Sequence, residues 1–122
     1  MPDPKSTALD GLTQRLIAFR DVREWRPFHG LKNLMLSLNL EAAEILELTQ
    51  WKSDDEGEAA TADPEFRDQL SEECADVLLY LLLICERAGI DLEVAASAKI
   101  ELNAAKYPVE KARGNARKYP AL

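Results

Sequence analysis

The chain has 122 residues, of which 47% are hydrophobic and 30% charged, a composition that indicates a globular protein and excludes an intrinsically disordered one. Its formal net charge of −7 at pH 7 argues against nonspecific binding to nucleic acid or to an anionic membrane. The first residues contain no apolar stretch, so we expect no secretory signal, and we expect Cys74 and Cys85 to be reduced core thiols. Together these expectations predict a cytoplasmic protein.

Four segments carry apolar residues at helical spacing and none shows the alternation of a strand, so the sequence predicts an all-α fold, a four-helix bundle. The first helix is expected from about Ser6, as its N-cap, to Trp25. After the break at "RPFHG", a second helix is expected from Leu31 to Trp51. The polar, acidic segment "KSDDEGEAATADP" is predicted to be a mobile surface loop.

Two further helices are predicted in the second half of the chain. Asp63 followed by Pro64 is typical of a helix start, and this third helix is expected to end near Gly89. Asp91 is expected to cap a fourth helix that ends at about Lys106.

The whole chain, residues 1–122, is expected to form a single domain in which residues 107–122 are a basic C-terminal tail. The third helix contains an unbroken apolar run from Val77 to Cys85, which leaves it without a polar face. A four-helix monomer would expose part of such a helix to water, so a second copy of the chain is the simplest cover. We therefore expect an obligate homodimer or tetramer.

Acidic pairs border the apolar stripes of both central helices. Glu41 and Glu44 are three residues apart on the second helix, as are Glu73 and Asp76 on the third, so each pair shares one helical face. If the two helices pack antiparallel, the four carboxylates can converge, and their mutual repulsion calls for a hard divalent cation, Mg²⁺ or Mn²⁺. The alternative is a set of solvated surface acids, which is the usual explanation of a single Glu-x-x-Glu but fits two such pairs less well.

Carboxylate-rich helical bundles include the di-iron proteins, which also need Glu-x-x-His motifs. The only histidine of this chain is His29, which does not lie three residues after any of the four acids. The di-iron class is therefore disfavoured, and magnesium-dependent chemistry on a nucleoside triphosphate is favoured.

Four stretches, "FHGLKNLMLSLNLEAAEILELTQWKSD", "EECADVLLYL", "KIELNAAKYP" and "ARGNARKY", resemble the all-α nucleoside triphosphate pyrophosphohydrolases of the MazG-like superfamily, and most of all its small dCTP pyrophosphatases. The resemblance runs from about Leu16 to Tyr119. It implies hydrolysis of a nucleoside triphosphate to the monophosphate and pyrophosphate, and assembly as a dimer of dimers.

The resemblance also implies roles for individual residues. The positions of the family's catalytic magnesium ligands are occupied here by Glu41, Glu44, Glu73 and Asp76. The positions that contact substrate are occupied by Trp25, Trp51 and Tyr80, by the Lys99 and Asn103 pair, and by His29 in the same segment as Trp25. Without the resemblance, the aromatic residues would be interpreted as core residues and the others as surface residues.

Lys106, at the end of the fourth helix, and Arg113 and Lys118 of the tail are basic residues that could close over phosphates or pair with acidic neighbours. Leu16 stands where the eukaryotic dCTP enzymes generally have a histidine, and the loss of this polar group argues against a strict preference for dCTP. The alternatives are therefore a dUTP-type or broader-range enzyme, or a catalytically silent helical partner protein. The retention of all four acids argues against the silent protein.

Overall fold

The computed structural model describes residues 7–117, and these residues form helices and connecting turns without any strand. In chain order the elements are α1 (Ala8–Val22), a three-residue 3-10 turn (Arg26–Phe28), α2 (Leu31–Glu47), α3 (Asp54–Ala60), α4 (Pro64–Ala88), α5 (Leu92–Lys106) and α6 (Val109–Ala112). The predicted all-α fold is confirmed. Within the described part of the chain, no helix combines the length and the apolar character that crossing a bilayer requires.

The chain divides into two compact units, one ending at Gly89 and the other beginning at Ile90. In the first unit α2 packs along α4, and α1 packs on α4 as well. Its buried apolar side chains come mostly from α4, with one from α2: Leu34, Phe66, Leu82, Leu83 and Cys85. The second unit contains α5 and α6. The single domain and the four-helix bundle both stay predictions.

Most predicted helix starts agree with the structure to within a residue or two. The side chain of Thr7 accepts a hydrogen bond from the amide of Asp10 and caps α1, whereas the expected cap, Ser6, lies outside the described residues. Asp63 caps α4, whose C-terminus is Gly89 in the left-handed conformation with φ +70°. Glycine adopts this conformation at little cost, which explains the sharp end of α4.

The two helices that precede the tryptophans end earlier than predicted. Helix α1 ends at Val22, three residues before Trp25, because Glu24 turns into the left-handed region with φ +55°. Helix α2 ends at Glu47, four residues before Trp51. Both tryptophans therefore lie on turns that follow a helix.

The prediction of a mobile loop between α2 and α4 was wrong, because this segment contains α3. Ser53 and Glu56 form a reciprocal capping box, in which each side chain accepts a hydrogen bond from the backbone amide of the other residue. The first turn carries three acidic residues, and negative charge at a helix N-terminus is favourable. The acidic composition that suggested a loop in fact stabilises a helix start.

The apolar run of α4 is covered within the chain more fully than expected. Leu82, Leu83 and Cys85 are 2%, 5% and 6% exposed, and the other residues of the run are half-buried. Cys74, by contrast, is exposed, so the prediction of a core thiol was wrong for this residue and right for Cys85. Burial raises the pKa of the Cys85 thiol.

Candidate active site

Three carboxylates converge where α2 lies against α4. Glu41 projects from α2, and Glu73 and Asp76 project from α4, such that one oxygen from each lies within 4.8 Å of the others. Glu41 and Glu73 are half-buried, whereas Asp76 is exposed. The i, i+3 spacing on α4 places its two acids on the face that meets α2, so the structure brings together three of the four acids that the sequence predicted to converge.

The fourth predicted acid, Glu44, is exposed and adjoins the cluster. Burial away from water raises the pKa of Glu41 to about 6, and hydrogen bonding to Glu44 and its charge add to the rise. Burial also raises the pKa of Glu73, again with a contribution from hydrogen bonding to Glu44. The cluster therefore resists full ionisation while no cation is bound.

The arrangement fits a divalent cation. The Oε2 atoms of Glu41 and Glu73 are buried and have no hydrogen-bond partner, although such an atom is costly to bury without one. A cation bound between α2 and α4 would satisfy both oxygens, and an all-oxygen donor set suits Mg²⁺ or Mn²⁺. The interpretation as solvated surface acids does not fit these two glutamates.

A second group of predicted residues surrounds the turn after α1. The ring of Trp25 lies edge-on to Phe19 and to His29, at centroid distances of 5.7 and 6.4 Å. The guanidinium of Arg23 lies 3.7 Å above the Phe19 ring and 5.9 Å from the Trp25 ring. Trp25 remains 42% exposed, so one part of the indole is packed and another is open to a ligand.

His29 is half-buried, and its Nδ1 atom is buried without a hydrogen-bond partner. Burial lowers the pKa of this imidazole, and the positive charges of Arg20 and Arg87 lower it further. The surroundings of this side chain thus favour the neutral imidazole, and its interpretation as an ordinary surface histidine is not supported.

The other predicted substrate residues are dispersed along the chain. Trp51 is 88% exposed on the turn after α2, and Tyr80 is half-buried on α4, one turn after Asp76. Lys99 and Asn103 are exposed on α5 in the second unit. Asn103 also lines a cavity of about 500 Å³ together with residues of the C-terminal segment, among them Arg117. Of the basic residues near the C-terminus, Lys118 lies outside the described part of the chain.

The structure reveals a larger cavity that the sequence did not predict. Its volume is about 720 Å³, and its walls are the C-terminal half of α2, helix α3 and the first turns of α4. Two of its lining residues are close in sequence to the acidic cluster: Ala42 is the neighbour of Glu41, and Leu70 lies one turn before Glu73. Helix α3 forms one wall of this cavity. The cavity therefore could not be predicted from a sequence analysis that interpreted the segment as a loop.

Arg20 was also missed. It is 4% exposed, and its guanidinium donates to Asp21 at 2.9 Å and to Glu86 at 3.3 Å. A signal was present in the sequence, since Arg20 lies one turn after Leu16 on the apolar stripe of α1. A charged residue at an apolar position of a helix indicates a buried ion pair.

Comparison with known proteins agrees with this geometry. The MazG-like family matches residues 36–122. A dCTP pyrophosphatase 1 from Homo sapiens is 37% identical over 99% of this chain and 69% of its own length, and one from Mus musculus is 39% identical over the same shares. The crystal structure of a pyrophosphatase from Archaeoglobus fulgidus superimposes with a TM-score of 0.77 at 38% identity, covering 88% of this chain and 99% of the other. This chain belongs to the MazG-like family.

Proposed function

We propose that this protein hydrolyses dCTP, or a modified dCTP, to dCMP and pyrophosphate with a divalent cation. The observation that carries the proposal is the convergence of Glu41, Glu73 and Asp76 between α2 and α4 in a member of the MazG-like family. Relatives named dCTP pyrophosphatase 1 that align with nearly the whole chain support the substrate.

The residues that would hold the cation are Glu41, Glu73 and Asp76, with Glu44 beside them. Magnesium is the expected ion, with manganese as a substitute. When bound, the cation would neutralise phosphate charge and stabilise the charge that develops at the α-phosphorus. The chain itself carries a net charge of −7, so its own acids would otherwise repel a triphosphate.

The reaction requires a water molecule to attack the α-phosphorus while the bond to the bridging oxygen breaks and pyrophosphate leaves. We assign the orientation of this water to Glu44, which is exposed and lies against both Glu41 and Glu73. An ionised carboxylate within hydrogen-bond reach of the water can accept its proton.

Base recognition is assigned to Trp25, Trp51 and His29, and substrate contacts to Tyr80, Lys99 and Asn103. The exposed indoles support this assignment, because a planar base can stack on an aromatic face. The buried Nδ1 atom of His29, which has no partner, supports a polar contact in the same segment.

We further propose a homo-oligomer, a dimer of dimers, located in the cytoplasm. Support comes from α2, where Leu36 and Leu40 are 53% and 67% exposed although they belong to a central helix. Two exposed leucines one turn apart on the same helical face are typical of a surface that a second chain covers. Neither nucleic acid nor a membrane is an expected partner.

The test is a panel of nucleoside triphosphates incubated with magnesium, with pyrophosphate and monophosphate measured together. We expect release of both products from dCTP in equal amounts, and slower release from dATP and dGTP. Equal kcat/KM values for purine and pyrimidine substrates would support a broad-range enzyme instead. The absence of pyrophosphate release from every substrate would overturn the proposal in favour of a silent partner protein.

A further inference from the structure

Arg20 is the one buried charged residue in the part of the chain that the structure describes, at 4% exposed. Its Nε donates to Asp21 on α1 and its Nη1 donates to Glu86 in the last turn of α4. Burying a guanidinium is costly even when it is paired, and a hydrophobic side chain of similar size would fill this site at lower cost. A gain in stability is therefore a poor explanation of this arginine.

The backbone of the same residue holds Trp25. The carbonyl oxygen of Arg20 accepts hydrogen bonds from the amides of Arg23 and Trp25, at 3.2 and 3.1 Å. The left-handed Glu24 makes this return of the chain possible. The position of the Trp25 backbone is thus set by the turn of α1 to which Arg20 belongs.

The indole itself rests on the same turn. Phe19 lies beside Arg20 in sequence and packs edge-on against the indole at 5.7 Å, and Arg23 lies over both rings. The ion pair between Arg20 and Glu86 joins this turn to α4, the helix that supplies Glu73 and Asp76. The Trp25 indole is therefore connected to α4 through the last turn of α1.

We propose that Arg20 is a positioning residue: its ion pair with Glu86 holds the last turn of α1 on α4 and so sets the place of the Trp25 indole for the substrate. This inference rests on the proposed function, because it takes from it that Trp25 contacts the nucleobase of the substrate. It predicts that loss of the ion pair weakens substrate binding while the hydrolytic step and the folded state are preserved.

The kinetic test compares Arg20→Met, Arg20→Lys and the control Arg15→Met, in which an exposed arginine of the same helix is changed. Arg20→Met keeps most of the side-chain volume. The carboxylates of Asp21 and Glu86 lose their partner in this variant, but both side chains are partly exposed, so water can solvate them. We expect KM for dCTP to rise roughly three- to tenfold, as for a lost preorganising contact, with kcat changed by less than about twofold. Arg20→Lys should restore part of the loss, and the control should match the parent.

A spectroscopic test keeps the inference independent of catalysis. The chain has two tryptophans, so a Trp51→Phe background leaves Trp25 as the only tryptophan, whose emission can be excited selectively over that of the tyrosines. In the substrate-free protein, Arg20→Met should increase acrylamide quenching of Trp25 and lower its fluorescence anisotropy, and Arg15→Met should change neither. Glu86→Gln should shift both signals in the same direction, which covers the case in which Arg20→Met fails to fold.

The two tests separate the possible failures. Unchanged quenching and anisotropy in folded Arg20→Met and Glu86→Gln would overturn the positioning role. A fall in kcat with KM unchanged would also overturn it. If the parent hydrolyses no nucleotide, the proposed function fails, while the spectroscopic signals still decide whether Arg20 places Trp25.

Discussion

Glu41 and Asp76 are the residues at which the cation hypothesis is tested most directly. Glu41→Gln and Asp76→Asn keep the shape of each side chain and remove a charged ligand. We expect each change to lower kcat roughly 10²- to 10³-fold, because several kcal/mol of transition-state stabilisation are assigned to the cation. The measurement is pyrophosphate release from dCTP with magnesium, combined with circular dichroism to verify folding.

Glu47→Gln is the matched control, since Glu47 is an exposed glutamate of α2 in the turn after Glu44. It should retain the activity of the parent. EDTA should abolish turnover by the parent, and magnesium or manganese should restore it. Full turnover in a rigorously metal-free sample would contradict the hypothesis.

The raised pKa of Glu41 predicts how the stability of the metal-free protein depends on pH. The ordinary pKa is 4.5 and the value in the folded protein is about 6, so the native state holds this proton more tightly than the unfolded state. This contribution to stability is complete below pH 4.5 and is lost as the pH rises through about 6. Glu73 shifts in the same direction.

Thermal unfolding in EDTA between pH 5 and pH 8 measures this effect. In Glu41→Gln the loss of stability with rising pH should be smaller, and Tm at pH 8 should exceed that of the parent. Added magnesium should raise Tm of the parent more than that of the variant. Identical pH profiles for the two proteins would show that the carboxylates do not repel one another in the folded state.

Trp51 provides a test of base recognition with little risk to the fold, since its side chain is 88% exposed. If it stacks on the base, Trp51→Ala should raise KM for dCTP by the equivalent of roughly 1–3 kcal/mol. The base is remote from the reacting phosphorus, so kcat should fall less than kcat/KM. In a Trp25→Phe background, a non-hydrolysable dCTP analogue should quench the remaining tryptophan. Unchanged KM and fluorescence would remove Trp51 from the site.

At the scale of the elements, α3 is tested by two substitutions of opposite sign. Ser53→Ala removes the cap that accepts from the amide of Glu56 and should destabilise the protein by about 1 kcal/mol. Gly57→Ala should stabilise it by up to about 1 kcal/mol through helix propensity. The added Cβ would meet Thr49 Cγ2 at 3.4 Å, an ordinary contact. Denaturant unfolding measures both, and equal stabilities would mean that α3 does not form in solution.

At the scale of the whole molecule, the exposed leucines of α2 predict an assembly. Light scattering at micromolar concentration should report a dimer or a tetramer. Changing Leu36 and Leu40 together to lysine should reduce the mass to that of a monomer while the helical content stays the same, because both side chains are largely exposed within the chain. Gln14→Lys, at an exposed position of α1, controls for added charge.

A folded parent that is monomeric at all concentrations would contradict the predicted assembly. Leu82 and Leu83, although they belong to the apolar run of α4, are not suitable probes for this purpose. They are 2% and 5% exposed within one chain, so lysine at either position should unfold the protein and not merely separate its copies.

The sequence by itself determined the helical class, the boundaries that depend on local chemistry and the acids of the candidate cation site. Asp63 followed by Pro64 starts α4 as predicted, because capping depends on residues adjacent in the chain. The spacing of Glu73 and Asp76 placed them on one face of α4 for the same local reason. The exception is α3. The sequence contains its capping box, Ser53 and Glu56, but the acidic composition of the segment led to the prediction of a loop.

Only the tertiary structure decided which of these groups meet and which are buried. The convergence of Glu41 with Glu73, the burial of their oxygens and the ion pair of Arg20 with Glu86 each join residues that are far apart in the sequence. Desolvation depends on what packs against a side chain, and helical periodicity carries information about one helix at a time. The elements could therefore be predicted from local rules, whereas the electrostatics of the site depends on how the helices pack.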